Sequence, residues 1–439
     1  MIHFSRFESF MDLGLSSGIK FQNALGTINL IFSLILLILY FHQYFYAFLG
    51  LITKPKRYKK AKKNHKYAYL ISAHNEEIVI GNLVQSIYAQ DYPKELMQVF
   101  VVADNCNDNT AKVAREAGAI VFERFDSVNK GKSFALDFLI KKIFDEYDNG
   151  YEAFFVFDAD NLVSKNYTKE MNKVFDEGYK VSTSFRDTKN FDNWISAGAS
   201  MAFLRECLLI HQSRSILGIG TYISGTGFYV SADILRAKGG WGYHTMTEDI
   251  EFSLECALED IKIAYCADAV FYDEQPSTLK DSLNQRLRWC KGTHQIFAKD
   301  CKKIAKKNVK KFSPACFELG MHVSPLPIIS FAWFVVYIVL SLLNIIINSL
   351  PADIYLAFAI EALLSFCFIL FAISLSHAFV VVIRYHKKIK APLWKQILYC
   401  FTFPIYMFFF IPLSYKALFK KVEWVKIKHI VDVKINEMN

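Results

Sequence analysis

The sequence predicts an α/β domain of Rossmann-like type with a parallel sheet, combined with transmembrane and interfacial helices. Three observations carry this expectation. Short apolar runs alternate with helix-spaced segments from Tyr67 to about Phe297. One long apolar stretch precedes that region and about three follow it. Runs of lysine and arginine stand at both junctions.

Residues 1–25 are mixed in character and read as either an interfacial or a disordered segment, with no signal-peptide pattern. Residues 26–52 are apolar throughout and long enough for a transmembrane helix at 1.5 Å per residue. The α/β domain then occupies residues 67–297. In it KYAYLISA, MQVFVVADN, AIVFER and EAFFVFDAD read as strands, and IVIGNLVQSIYAQ, NTAKVAREAGA and GKSFALDFLIKKIF as the helices between them. Such alternation implies parallel strands with helices on both faces, and a ligand beyond the carboxyl ends of the strands. Residues 298–322 form a basic linker or interfacial helix, residues 323–420 a membrane region of about three apolar segments, and residues 421–439 a cytoplasmic tail. The loop RYHKKIKAPLWK and the tail are both basic, so both favour the cytoplasm. Three full crossings after the domain would separate them from it, so the last apolar segment is expected to be re-entrant or interfacial.

The 51 Lys and Arg against 42 Asp and Glu leave a net charge of +9. The excess is concentrated in Lys54–Lys66 and Lys299–Lys311, each beside an apolar segment. Basic residues there mark the cytoplasmic side of a multi-pass protein of the cell membrane and attract anionic headgroups. This placement argues against nucleic-acid binding. The nine cysteines show no CxxC pair, which points away from a disulfide framework or a zinc site.

Four motifs carry chemistry. Asp158-Ala159-Asp160 ends an apolar strand, and carboxylates so spaced suit Mg2+ or Mn2+ bridged to a diphosphate; a polar strand end is the bland alternative. Asp249, in MTEDIEFS, suits a general base that takes a proton from an acceptor hydroxyl, opposite the leaving group and so with inversion. It can equally serve the positive end of a helix. Gln285, Arg288 and Trp289 fall three and four apart on one helix face, where Arg can brace a diphosphate and Trp can stack on a sugar. Asp104, in VVADNCND, reads as a base- or ribose-binding group or as a turn former, and Gly225-Thr226-Gly227 as a close backbone approach or a tight turn.

Together with SAHNEE (Ser72–Glu77) and NKGKSFAL (Asn129–Leu136), these motifs in this order resemble the membrane-bound family two glycosyltransferases, which include cellulose, chitin, hyaluronan and poly-N-acetylglucosamine synthases. The resemblance spans about half the chain. It implies a GT-A fold, a UDP-sugar donor, Mg2+ or Mn2+, inversion to a β-linkage, and a glycan or lipid acceptor. It assigns Ala73, Glu76, Asp104 and Lys132 to the donor, Asp158 and Asp160 to metal and diphosphate, and Asp249 to the base. Gln285, Arg288 and Trp289 fall to the diphosphate and the acceptor end. Glu248 and the stretch Gly225, Thr226, Gly227 and Phe228 face the acceptor. The sequence departs from the family at the first aspartate, with ADNCND where many synthases have DDGS. Its few apolar segments place it nearer the smaller synthases. The implied function is building a β-linked polysaccharide or oligosaccharide coupled to its export, with single transfer to a polyprenyl phosphate or diacylglycerol as the alternative.

Overall fold

The computed structural model describes residues 2–147, 150–347, 352–423, 429 and 431–438. Residues 348–351 of the expected membrane region, and 424–428, 430 and 439 of the expected tail, lie outside the described residues.

One sheet holds β1 (Tyr67–Ala73), β2 (Met97–Asp104), β3 (Ile120–Arg124), β4 (Ala153–Asp158), β5 (Leu162–Val163), β6 (Val181–Thr188), β7 (Phe228–Ser231) and β8 (Ile263–Asp273). Their order is β3-β2-β1-β4-β7-β6-β8-β5. The first four strands are parallel, with Ala73 level with Ala103 and Ser72 level with Asp158. The expected all-parallel sheet stops there. β7 is antiparallel to both β4 and β6, and β5 is antiparallel to β8. The cause is local. Both reversed strands begin at the carboxyl edge of the sheet, β5 directly after the Asp158–Asp160 turn and β7 directly after the Gly225–Gly227 turn, so each must run away from that edge.

Side chains alternate along the strands and both faces are covered, which explains the nearly continuous apolar runs. Tyr69, Ile71, Val101 and Phe155 pack against α2 (Ile80–Tyr88) and α5 (Tyr167–Asp176). Leu70, Phe100, Val102 and Phe154 pack against α4 (Lys132–Glu146) and part of α9 (Glu248–Leu258), with α8 (Ala232–Lys238) at the rim. α3 (Thr110–Glu116) links β2 to β3.

The first helix, α1, spans Ile2–Ile52 rather than opening at Gly26. No proline occurs before Pro55, so nothing in the backbone interrupts it. The basic stretch after residue 297, expected as a linker or an interfacial helix, is helical: α10 (Leu279–Lys310) runs through it and α11 (Pro314–Val323) follows. α12 (Leu326–Ile347), α13 (Ala352–Tyr385), α14 (Leu393–Phe408) and α15 (Phe410–Phe419) complete the chain. Three segments are long and apolar enough to cross a membrane: Ser16–Ile52, Leu326–Ile347 and Leu393–Phe419, with a shorter apolar stretch at Phe371–Tyr385.

The α/β domain meets these helices through α6 (Trp194–Arg205), which continues as a π-helical stretch, Glu206–Gln212, into α7 (Ser213–Ile216). Met201 and Leu204 pack with Val381 of α13 and Phe403 of α14. Gly198 permits the close approach, since a Cβ there would lie 2.6 Å from the Tyr406 ring.

Candidate active site

The strand order places the ends of β2, β1 and β4 side by side, so Asp104, Ala73 and Asp158 lie along one edge. The turns after β1 and β2 pass through Asn75 and Asn105, each in the left-handed region at φ 57° and 52°. Asparagine tolerates this conformation better than most residues. The polar run NCNDNT then ties the two turns together. Asn107 N–H donates to Asn75 Oδ1 at 2.8 Å, and Glu76 N–H donates to Thr110 Oγ1 at 2.7 Å. Asp104 is buried, and its Oδ1 accepts from Arg124 Nη1 at 2.5 Å.

Asp158 and Asp160 differ in environment. The Asp158 side chain is partly exposed and ion-pairs with Lys132, whose Nζ also donates to the Gly225 carbonyl at 2.7 Å. Asp160 is 3% exposed, and its Oδ2 accepts from Glu274 N–H at 3.0 Å. The Asp158 N–H donates to Thr226 Oγ1 at 2.9 Å, so the glycine-flanked turn braces the acidic turn directly. Both glycines have positive φ, 81° at Gly225 and 68° at Gly227, and a Cβ on Gly227 would run into the Phe271 ring. Gly227→Ala is therefore expected to destabilise the fold by roughly 2–4 kcal/mol, through strain and overpacking together. Chemical denaturation measures it, and an unchanged midpoint would contradict this packing.

Glu248 and Asp249 open α9, and Asp249 lies close to the turn: a Cβ on Gly225 would sit 3.8 Å from Asp249 Oδ2. Burial pushes both carboxyl groups above their ordinary range; Glu248 is raised further by Asp249, while Lys132 works in the opposite sense on both. Burial alone would lower Lys132, but Asp158, Glu248 and Asp249 outweigh it and hold the amine above its usual value. α10 reaches the start of α9 because Gly292 leaves room for Thr247. Its Gln285, Arg288 and Trp289 face the same cavity, which has a volume of about 1340 Å³. Burial lowers Arg288, with Glu248 and Asp158 acting on it in the other direction, so the guanidinium lies near both. Trp289 meets Phe203 edge-on at 6.0 Å and Phe410 face-on at 6.5 Å.

Ala73, Glu76, Asp104, Lys132, Asp158, Asp160, Gly225, Glu248, Asp249, Gln285, Arg288 and Trp289 thus all line one cavity. Thr226 and Gly227 stand behind it as supports.

Four further residues escaped the sequence reading. Arg186 donates from Nε to Asp273 Oδ2 at 2.9 Å and from Nη1 to the Ser224 carbonyl at 3.1 Å. Asp273 in turn accepts from Asn161 Nδ2 at 2.8 Å, beside the acidic turn. An acid ending an apolar strand, in FYDE, was the available signal for Asp273. Arg286 is fully buried on the far side of α10, where it donates to the Tyr406 carbonyl at 2.5 Å. His429 of the tail lies 3.1 Å from the Glu76 carboxylate, a contact 353 residues apart that no local pattern signals.

Among the described residues no group of three or more His, Cys, Asp and Glu side chains is arranged to hold a metal. The donor set is nonetheless hard oxygen, from Asp158 and Asp160 at the cavity wall. That suits a cation whose remaining positions are filled by phosphate and water.

The description "Glycosyltransferase like family 2" matches residues 65–292. The poly-β-1,6-N-acetyl-D-glucosamine synthase of Staphylococcus epidermidis is 25% identical over 237 residues, covering 53% of this chain and 56% of the relative. The β-monoglucosyldiacylglycerol synthase of Synechocystis sp. is 27% identical over 239 residues, covering 52% and 48%. The match thus spans about half the length of these relatives. Among solved structures, a Pyrobaculum calidifontis mannosyltransferase, in complex with GDP-Man and Mn2+, aligns over 87% of this chain and 96% of its own at a TM-score of 0.57 and 16% identity. That likeness concerns the fold, which is GT-A. With more than half its length matched, and with the acidic turn, the TED helix and the QxxRW helix converging on one cavity, the chain belongs to the family two glycosyltransferases.

Proposed function

We propose that the chain transfers a sugar from a UDP-sugar to an acceptor hydroxyl with inversion, building a β-linked glycan that leaves toward the membrane helices. The observation that carries this reading is the arrangement around Lys132. Its amine bridges Asp158 and the Gly225 carbonyl, and Asp249 stands beside the same glycine. A donor diphosphate on the Asp158 side and an acceptor on the Asp249 side would meet across a short gap, as direct displacement requires.

In this reading Glu76 and Asp104 hold the nucleoside, and Lys132 and Arg288 brace the diphosphate. Asp158 and Asp160 would hold Mg2+ or Mn2+, which supplies charge neutralisation to the leaving diphosphate. Asp249 takes the proton of the acceptor hydroxyl as its oxygen bonds the anomeric carbon. Trp289, held between Phe203 and Phe410, offers a platform for the acceptor sugar.

The raised Asp249 carboxyl gives the reaction a pH signature. The base works only when ionised, so the rate falls as pH drops through its raised pKa. The acid limb is expected above the value of about 3.9 for an ordinary aspartate. A kcat/KM profile still flat down to that value would contradict the assignment.

Two contacts support a topology for the membrane helices. Lys388, in the loop between α13 and α14, lies 3.3 Å from Asp187, and the tail reaches Glu76 through His429. Both ends of α14–α15 therefore touch the catalytic domain, which supports α12 and α13 crossing the membrane while α14 and α15 lie along its cytoplasmic face. Single transfer to a lipid is a second reading, favoured by the reach of the cavity to α1 and α13 and by the glucosyldiacylglycerol synthase among the relatives. Sizing the labelled product and determining its anomeric configuration tests both. A β-linked ladder supports chain extension, a single β-glycolipid the second reading, and an α-linked product contradicts inversion.

A further inference from the structure

We propose that the acceptor is carried on a phosphate-bearing membrane lipid, and that Arg205 with His322 and His377 holds that phosphate at the membrane end of the cavity. The proposal rests on the glycosyltransferase reading and narrows its acceptor: the lipid is either the primer of the glycan or the sole acceptor.

The cavity that holds Asp249 and Trp289 does not end there. It continues past Arg205 to Tyr40 and His42 of α1, His322 of α11 and His377 of α13. A neutral glycan or a diacylglycerol needs hydrogen bonds in such a place, not a cation that lacks an ion-pair contact. Yet Arg205 Nε is buried without a hydrogen-bond partner, and His377 Nε2 is in the same condition. Arg205, His322 and His377 line the same cavity.

The nearby acids are already engaged. Glu206 meets His211 Nε2 at 3.0 Å, and Glu318 accepts from Arg214 Nε at 2.6 Å and from the Tyr46 hydroxyl. Arg205 forms no ion pair among the described residues. Glu206 acts on Arg205 without an ion-pair contact. A buried guanidinium nitrogen left without a hydrogen bond is costly, and the cost is recovered when an anion binds it. The planar guanidinium suits phosphate in particular. Directly after Arg205 the helix widens into the π-helical stretch Glu206–Gln212, a form frequent at functional sites.

The donor diphosphate belongs to the other end of the cavity, at Lys132 and Asp158, so a second anion must come from the acceptor. Because α1 and α13 are among the apolar helices, that anion arrives on a lipid. Asp249 as base implies that a headgroup hydroxyl, rather than the phosphate itself, is the nucleophile, since a phosphate is already ionised at neutral pH and needs no base.

The test uses the full chain, purified in detergent and stripped of lipid. Phosphatidylglycerol is titrated in, alone and against phosphate-free monoglucosyldiacylglycerol or inorganic phosphate, with bound lipid read by native mass spectrometry. Binding of UDP with Mn2+ is measured calorimetrically on the same samples. The expected result is one tightly held phosphatidylglycerol that neither competitor displaces. Arg205→Gln should weaken it by about tenfold or more, the loss of one charge-assisted contact, and Arg205→Lys by less, with UDP binding unchanged in both. Equal competition by the neutral glycolipid, displacement by inorganic phosphate, or an Arg205→Gln protein that binds phosphatidylglycerol as well as the wild type would each overturn the proposal. The competition arms use the wild type, so they decide even if the variant misfolds. Failure of UDP binding alone would count against the donor reading and leave the lipid site standing.

Discussion

Asp249→Asn is expected to lower turnover by about 10²–10⁴-fold, the usual contribution of a positioned general base, while UDP binding stays near that of the wild type. Asparagine keeps the size of the side chain and its place at the start of α9, where Gly225 leaves it close to the donor turn. What it loses is the ability to take a proton. The nucleoside side of the cavity, with Glu76 and Asp104, lies on the turns after β1 and β2 and does not depend on α9. Steady-state rates paired with calorimetric UDP titration separate the two effects. Near-normal turnover in the variant would remove Asp249 from the chemistry and return it to the role of a helix-terminal acid.

Metal removal is the second large effect. Asp158→Asn or treatment with excess EDTA is expected to reduce transfer by about 100-fold or more, since charge neutralisation at a leaving diphosphate is worth several kcal/mol. Asp158 is the more informative of the pair. Its side chain is partly exposed to the cavity, whereas Asp160 is buried and also accepts the Glu274 N–H, so a change at Asp160 mixes folding with function. Added Mn2+ should restore the EDTA-treated wild type and do little for Asp158→Asn. Transfer that persists undiminished in EDTA would refute the metal assignment for both residues.

Much of this fold was legible because its first half obeys local rules. β1 to β4 and the helices between them follow apolar periodicity, and the parallel register then aligns Ala73, Asp104 and Asp158 without further information. The helical spacing of Gln285, Arg288 and Trp289 likewise brings them to one cavity, while Arg286, one residue off that face, turns away to the Tyr406 carbonyl. The second half was harder to read because its strands are placed by long connections. β5 has two residues and no periodicity to detect, and β7 reverses only because the Gly225–Gly227 turn delivers it to the site edge. The partners that tune the site, Arg124 on Asp104, Arg186 on Asp273 and His429 on Glu76, are distant in sequence and carry no motif. The continuity of α10 was harder to read for another reason: its lysine-rich second half suits a linker as well as a helix in composition, but carries no glycine or proline from Thr293 to Lys310 that would end a helix.

The most direct test of the central claim is transfer from a panel of labelled nucleotide sugars by membranes containing the full chain, with Mn2+ present and Asp249→Asn membranes as the control. The account predicts incorporation from one UDP-sugar, absent in the variant. Incorporation from a GDP- or dTDP-sugar instead, or equal incorporation by the variant, would contradict it.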